Sequence, residues 1–244
     1  MTTALRSSSS SESDVAAALY RDKHSGYFEA PRRDLLEMVA DRRGLRVLEL
    51  GAGSGATLRA AKAGGVASFT VGIDIVEPDP APHDEPAVDQ FHVCNFESTD
   101  LGLAPESFDL ILCADVLEHL IDPWATVKRL HGLLSPGGAL LSSIPNARNF
   151  RSLRQIILRG DFRYEEAGLL DRSHLRFFCR KNICHLFEDA GLEVVQMAEN
   201  MGGYGAFHRS LDRLTLGLLH EFFVFQYRTL ARKPQRAPVA TTAI

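Results

Sequence analysis

Acids at the ends of apolar runs, three glycines at alternate positions and two histidines are the residues of this chain best suited to chemistry. Glu49 precedes "GAGSG", which puts Gly51, Gly53 and Gly55 in the pattern E-x-G-x-G-x-G. Asp74 and Ile75 close the run "ASFTVGIDI", Asn95 and Phe96 close "QFHVCNF", and Asp115 follows "FDLILCA". Glycine after a strand permits positive φ and lets backbone N–H groups come close to a ligand. Asp74 suits ribose hydroxyls, and Asn95 with Phe96 offers an amide and a ring to an adenine. Glu49 and Asp115 put acids where a cationic group is welcome and a pyrophosphate is not. The glycine spacing by itself also fits the dinucleotide fingerprint, with Ala56 as its last position. A nicotinamide-dependent oxidoreductase or epimerase therefore stays an alternative, weakened by Glu49 and by the lack of a Tyr-x-x-x-Lys pair.

Two histidines are candidate bases for a hydroxyl acceptor, whose proton must leave as its oxygen attacks. His174 lies in "DRSHLRFF", with Asp171 three residues earlier to orient it, and is the first choice. His119, just past "FDLILCA", is the second. Asn146, at the end of the run "ALLSSIP", is expected to point into the pocket mouth, and Tyr27 to lie over it as a lid. Trp124, Phe177 and Phe178 read as core. No Asp, Asn or His cluster has metal-ligand spacing, so no metal is assigned. The four cysteines form no ligand pairs and read as free thiols in a reducing compartment.

The elements that must position these residues alternate. Strands are expected at 45–50, 67–75, 90–96, 108–114, 139–145 and 192–199, with a final one in "FFVFQYRTLARK". Helices are expected at 15–21, 31–42, 56–62, 123–134, 180–190 and 208–220. The run 108–114 is nearly all apolar, as a strand covered on both faces should be. The sum is a doubly wound, Rossmann-like α/β domain over residues 15–233, with seven strands and the last antiparallel. Residues 1–14 and 234–244 read as flexible tails. Residues 147–181 break the alternation and read as an insertion capping the substrate.

The chain of 244 residues carries a net charge of −4, which argues against a general nucleic-acid binder. No apolar run reaches the ~18 residues of a membrane span, and "MTTALRSSSSSESD" lacks the core of a signal peptide. A cytoplasmic protein acting away from membranes is the expectation. Charge is uneven: segment 147–181 holds nine basic residues against four acids. Within it Arg148, Arg151 and Arg154 recur every third residue beside the stripe Phe150, Leu153, Ile156 and Ile157. That stripe is expected to pack down, leaving Arg148 and Arg172 to hold a phosphate or carboxylate on the acceptor.

"VLELGAGSG", "VGIDI", "FDLILCADVLEHLIDPW", "LLSPGGALLSSIPN" and "GLLDRSHLRFF" together resemble the class I S-adenosylmethionine-dependent methyltransferases. They are similar in particular to a bacterial branch that modifies sugars, polysaccharides and secondary metabolites. The resemblance runs from about Tyr27 to Lys233. It implies S-adenosylmethionine as cofactor, held by Gly51, Gly53, Asp74, Ile75, Asn95, Phe96 and Asp115. An aspartate is common in the family where this chain has Asn95. The implied reaction is methylation of a small molecule, as O-methylation of a sugar, sugar nucleotide or metabolite, with N-methylation of an amine as the alternative. No Asn-Pro-Pro-Tyr type motif of base-flipping enzymes follows the fourth strand.

Overall fold

The computed structural model describes residues 30–77, 88–204 and 206–235, without the side chains of 206–209. Tyr27, the helix expected at 15–21, most of the acidic stretch after Asp74 and nearly all of both tails lie outside these residues.

Strands buried in continuous runs, with helices over both faces, build one seven-stranded sheet in the order β3-β2-β1-β4-β5-β7-β6. Its strands are β1 Leu45–Leu50, β2 Ala67–Asp74, β3 Gln90–Val93, β4 Phe108–Ala114, β5 Leu134–Pro145, β6 Glu193–Asn200 and β7 Gln226–Arg232. The first five pair in parallel, while β7 runs antiparallel to both β5 and β6. Side chains two apart share a face. Val47, Leu110, Leu112 and Leu141 thus join Leu35, Leu58 and Ala61 in one core layer, supplied by α1 (Arg33–Leu36) and α2 (Ala56–Ala63). Leu48, Leu50, Ile111 and Leu140 face the other layer, closed by Val127, Leu130, Ile183 and Phe187 from α3 (Pro123–Leu133) and α5 (Arg180–Glu188).

Boundaries follow local chemistry. The Asp122 side chain accepts from Ala125 N–H at 2.9 Å with Pro123 in the first turn, so α3 starts there. The helix expected at 31–42 is a short α-helix followed by a 3₁₀ turn, Glu37–Val39. The expected third strand stops at Val93, because Asn95 folds back to accept from Glu97 N–H at 2.9 Å.

The insertion differs most from expectation. Its helix α4, Phe150–Arg159, buries only Ser152, while Phe150, Ile156 and Ile157 are exposed. Its apolar stripe does not pack down, because no described element covers that side. Trp124 and Phe177 are likewise exposed rather than core, whereas Phe178 is buried as expected. The insertion does not roof the pocket either. It braces the segment after β4 from behind, with Leu175 and Arg176 N–H both donating to the Glu118 carbonyl at 2.9 Å.

Candidate active site

In an open α/β sheet ligands sit beyond the carboxyl ends of the strands, where strand order reverses. Here the reversal falls between β1 and β4. A cavity of about 490 Å³ lies at that place, within the size range of small-molecule sites. Glu49, Gly51 and Gly53 from β1 and its turn line it, with Asp74 at the end of β2 and Ile75 after it. Asn95 and Phe96 beyond β3, and Asp115 and His119 beyond β4, complete that wall. Nine of the sequence-derived residues are thus brought together.

The glycines do a different job from the one expected. The N–H groups of Gly51 and Ala52 donate to the Ile73 carbonyl at 2.8 and 3.1 Å, and Gly53 N–H donates to Asp74 at 2.7 Å. They knit the loop to β2 and are not aimed at a ligand. Gly51 has φ +73°, and a Cβ there would collide with the Val116 side chain. The close neighbour that excludes a side chain at Gly51 is the chain itself.

Burial and like charge dominate the electrostatics. Glu49 is 2% exposed and its Oε2 has no hydrogen-bond partner. Burial, reinforced by nearby Asp74, pushes its carboxyl up to about 8 against a Thr57 hydrogen bond. Burial also raises Asp74, although Val76 and Gly53 N–H groups donate to it. Asp115 sits at φ +55°, a conformation rare for a side chain larger than glycine. That turn aims its carboxylate at Arg32 and at the Gln226 amide, which both donate to it.

Arg32 carried no sequence signal. Its Nε and Nη2 donate to Asp34 at 3.0 Å, and Nη1 reaches Ser143 at 3.0 Å as well as Asp115. Among the described residues it is the one Lys or Arg of a lining that also includes Asp34, Glu49, Asp74, Glu97 and Asp115. Asn200, Phe225 and Gln226 close the far side from β6, β7 and the turn before β7. They were missed because only the antiparallel insertion of β7 beside β5 brings them there.

Of the two histidines, the second choice lines the cavity and the first does not. His119 lines the cavity, and its Nδ1 lies 2.9 Å from the Ser173 carbonyl. A carbonyl only accepts, so Nδ1 carries the hydrogen and the basic lone pair falls on Nε2. His174 is buried behind it, with ring centroids 4.7 Å apart, and is not among the lining residues. Its Nδ1 is 3.3 Å from the Leu169 carbonyl and its Nε2 4.0 Å from Glu118 Oε1. Asp171 accepts from the Ser173 N–H at 2.8 Å and hydroxyl at 2.6 Å, shaping the turn that presents Ser173 to His119. Glu118, His119 and His174 also bring three potential ligand atoms within 4.8 Å of one another, a set able to hold a divalent cation. Sequence spacing hid it, because His174 comes from the insertion.

The remaining acceptor-side residues stand elsewhere. Asn146 is buried, donating to the Glu221 and Val224 carbonyls at 2.8 and 2.9 Å, and so holds the chain before β7 and does not face the mouth. Arg148 pairs with Glu221 at 2.5 Å and stacks on Phe222, and Arg172 pairs with Glu166 at 3.3 Å. Neither lines the cavity, nor does any other residue of 147–181.

A cleft at the switch point of a parallel sheet, floored by acids and holding a buried carboxylate oxygen without a partner, defines an α/β protein built for a cationic ligand. S-adenosylmethionine, with its sulfonium and ammonium groups, fits these residues. Residues 24–197 match the family model described as "Methyltransferase domain". A ubiquinone biosynthesis O-methyltransferase from Neisseria meningitidis is 29% identical over 170 residues, 67% of this chain and 70% of that protein. One from Cereibacter sphaeroides is 31% identical over 163 residues, 62% of each chain. The chain thus spans about two thirds of the curated relatives it matches. The crystal structure of an S-adenosylmethionine-dependent methyltransferase from Mesorhizobium loti has the same fold, with TM-score 0.58 and 18% identity over 87% of this chain and 99% of that one. This chain belongs to the methyltransferase-domain family and is an S-adenosylmethionine-dependent enzyme.

Proposed function

We propose that the chain methylates a hydroxyl on a small molecule, with His119 as the general base. When bound, S-adenosylmethionine supplies an electrophilic methyl group on a sulfonium. The chain's own part is to position the reactants and to take the proton that the acceptor oxygen loses. The observation that carries this reading is the bond from His119 Nδ1 to the Ser173 carbonyl, which leaves the basic lone pair on Nε2 of a residue that lines the cavity. The hydroxyl proton passes to that nitrogen as the carbon–oxygen bond forms. His174 and Asp171 act through His119 and are positioning residues. The names of the two relatives, both O-methyltransferases, support an oxygen acceptor.

Near His119 the lining is apolar, with Val116, Leu120, Ile121 and Phe96. This suits an acceptor whose hydroxyl is carried on an apolar or aromatic body. The arginines of the insertion lie off the cavity, so they give no support to an anionic group at the reacting end. The test is mass spectrometry of products from a panel of hydroxylated aromatic and sugar acceptors, followed by kinetics of His119→Ala on the best one. Turnover is expected to fall about 10²–10⁴-fold with cofactor affinity unchanged, and the alkaline rise of the wild-type pH profile should disappear. Full turnover in that variant would overturn the assignment and favour an amine acceptor.

A further inference from the structure

The exposed apolar side of the insertion is not a random scatter. On α4, Phe150, Ile157 and Leu158 share the outward arc with Arg151 and Arg154, and Ile157 and Leu158 are 72% and 73% exposed. Beyond the left-handed turn at Gly160, Phe162 meets Tyr164 and Phe177 edge to face, with centroids 5.4 and 5.6 Å apart, all three rings exposed. Arg176, next to Phe177, donates to the Ile121 carbonyl and lies over the Trp124 ring at 5.9 Å. Ile121 is both exposed and part of the cavity lining. Apolar and aromatic surface thus runs from α4 to the lip of the active site.

Arginine is interleaved along this surface. Arg151, Arg154 and Arg159 make no ion pair among the described residues, on a segment with nine basic residues against four acids. Exposed aliphatic side chains and arginines on one helical arc, with exposed rings beside it, are what an interfacial element presents to a membrane. We propose that this face docks on the surface of a bilayer containing anionic lipids, placing the mouth of the cavity against the membrane. Charge decides between occupants. A second copy related by a two-fold axis would set this basic surface against its own like charge, whereas an anionic leaflet complements it. The docking is peripheral: no described helix is long and apolar enough to cross a membrane. It also stands apart from the choice of acceptor, since it can hold whether or not His119 is the base.

Flotation of the full chain with vesicles tests this, using phosphatidylglycerol and phosphatidylcholine in equal parts against phosphatidylcholine alone. The chain is expected to float with the anionic vesicles only, and to be released as salt screens the arginines. Arg151→Ala and Arg154→Ala should each weaken binding about fivefold. The double variant Ile157→Glu, Leu158→Glu should weaken it more than about tenfold. Calorimetric titration with S-adenosylmethionine, expected to match the wild type, confirms that these variants are folded. Absence of flotation with anionic vesicles, or equal flotation with neutral ones, overturns the proposal. So does a wild-type dimer that ignores vesicles and becomes monomeric in the double variant, since the face would then join two copies.

Discussion

Replacing Glu49 with glutamine removes a titration and leaves the shape nearly unchanged. The carboxyl is buried under α2 and pushed up to about 8 from an ordinary 4.5. The folded chain therefore holds a proton that the unfolded chain has lost, across the window between those values. Stability falls as pH rises through that window, by at most about 1.4 kcal/mol per pH unit from this one group. Over the whole window the loss is on the order of 5 kcal/mol. A bound cation reverses the balance. An opposite charge close by favours the carboxylate and typically lowers such a group by about 1–3 units. Affinity for S-adenosylmethionine should then rise with pH by up to about tenfold per unit between about pH 6 and pH 8. In Glu49→Gln both slopes should flatten, and affinity at the alkaline end should be weaker than in the wild type. Calorimetric titration and thermal melts across that range read both quantities. Affinity of the wild type that does not change with pH, or a Glu49→Gln variant with the same slope, would refute the argument that this carboxylate ionises to meet the cofactor.

Other expectations follow from the same geometry. Gly51→Ala meets Val116 at a left-handed backbone position, so it should destabilise the chain by about 1–3 kcal/mol in urea unfolding, with Val116→Ala in the same chain restoring part of the loss. Arg32→Met leaves Asp115 with one fewer cation in a mostly buried site, and should cost more than the ~1 kcal/mol of an exposed pair while weakening cofactor binding. His220 donates from both ring nitrogens, to Asp212 at 2.8 Å and Glu199 at 2.7 Å, and these hydrogen bonds raise its pKa. Its contribution is fully present below the ordinary histidine value and is lost as pH rises through the raised one. The melting temperature of the wild type should therefore exceed that of His220→Gln in acid and converge with it above neutrality.

Most of the sheet was legible because its period is local. The run 45–50 and the run 108–114 form strands with the expected ends, since they are largely apolar stretches closed by glycine or acid. The acids at their ends could be placed for the same reason. Arg32, Asn200, Phe225 and Gln226 could not be, because they reach the cavity through packing between distant segments and through β7 running back beside β5. The order of the two histidines was beyond the sequence as well. His119 and His174 are close neighbours, and only the Ser173 carbonyl and the insertion's place behind the segment after β4 show which ring faces the cavity. The fate of α4 was misjudged because a helical stripe says which residues share a face and nothing about whether anything covers it.

The contact between Gly51 and Val116 ties two events together. Gly51 lines the cavity, and Val116 lies three residues before His119, at the start of the 3₁₀ turn Leu117–His119. A displacement of the glycine loop would therefore be passed by steric contact to the turn that carries His119, the base of the proposed reaction. On the proposed function, filling the cofactor site and setting His119 against the Ser173 carbonyl would be a single mechanical adjustment. The expected kinetic counterpart is an ordered sequence in which the cofactor enters before the acceptor, and product-inhibition patterns check it.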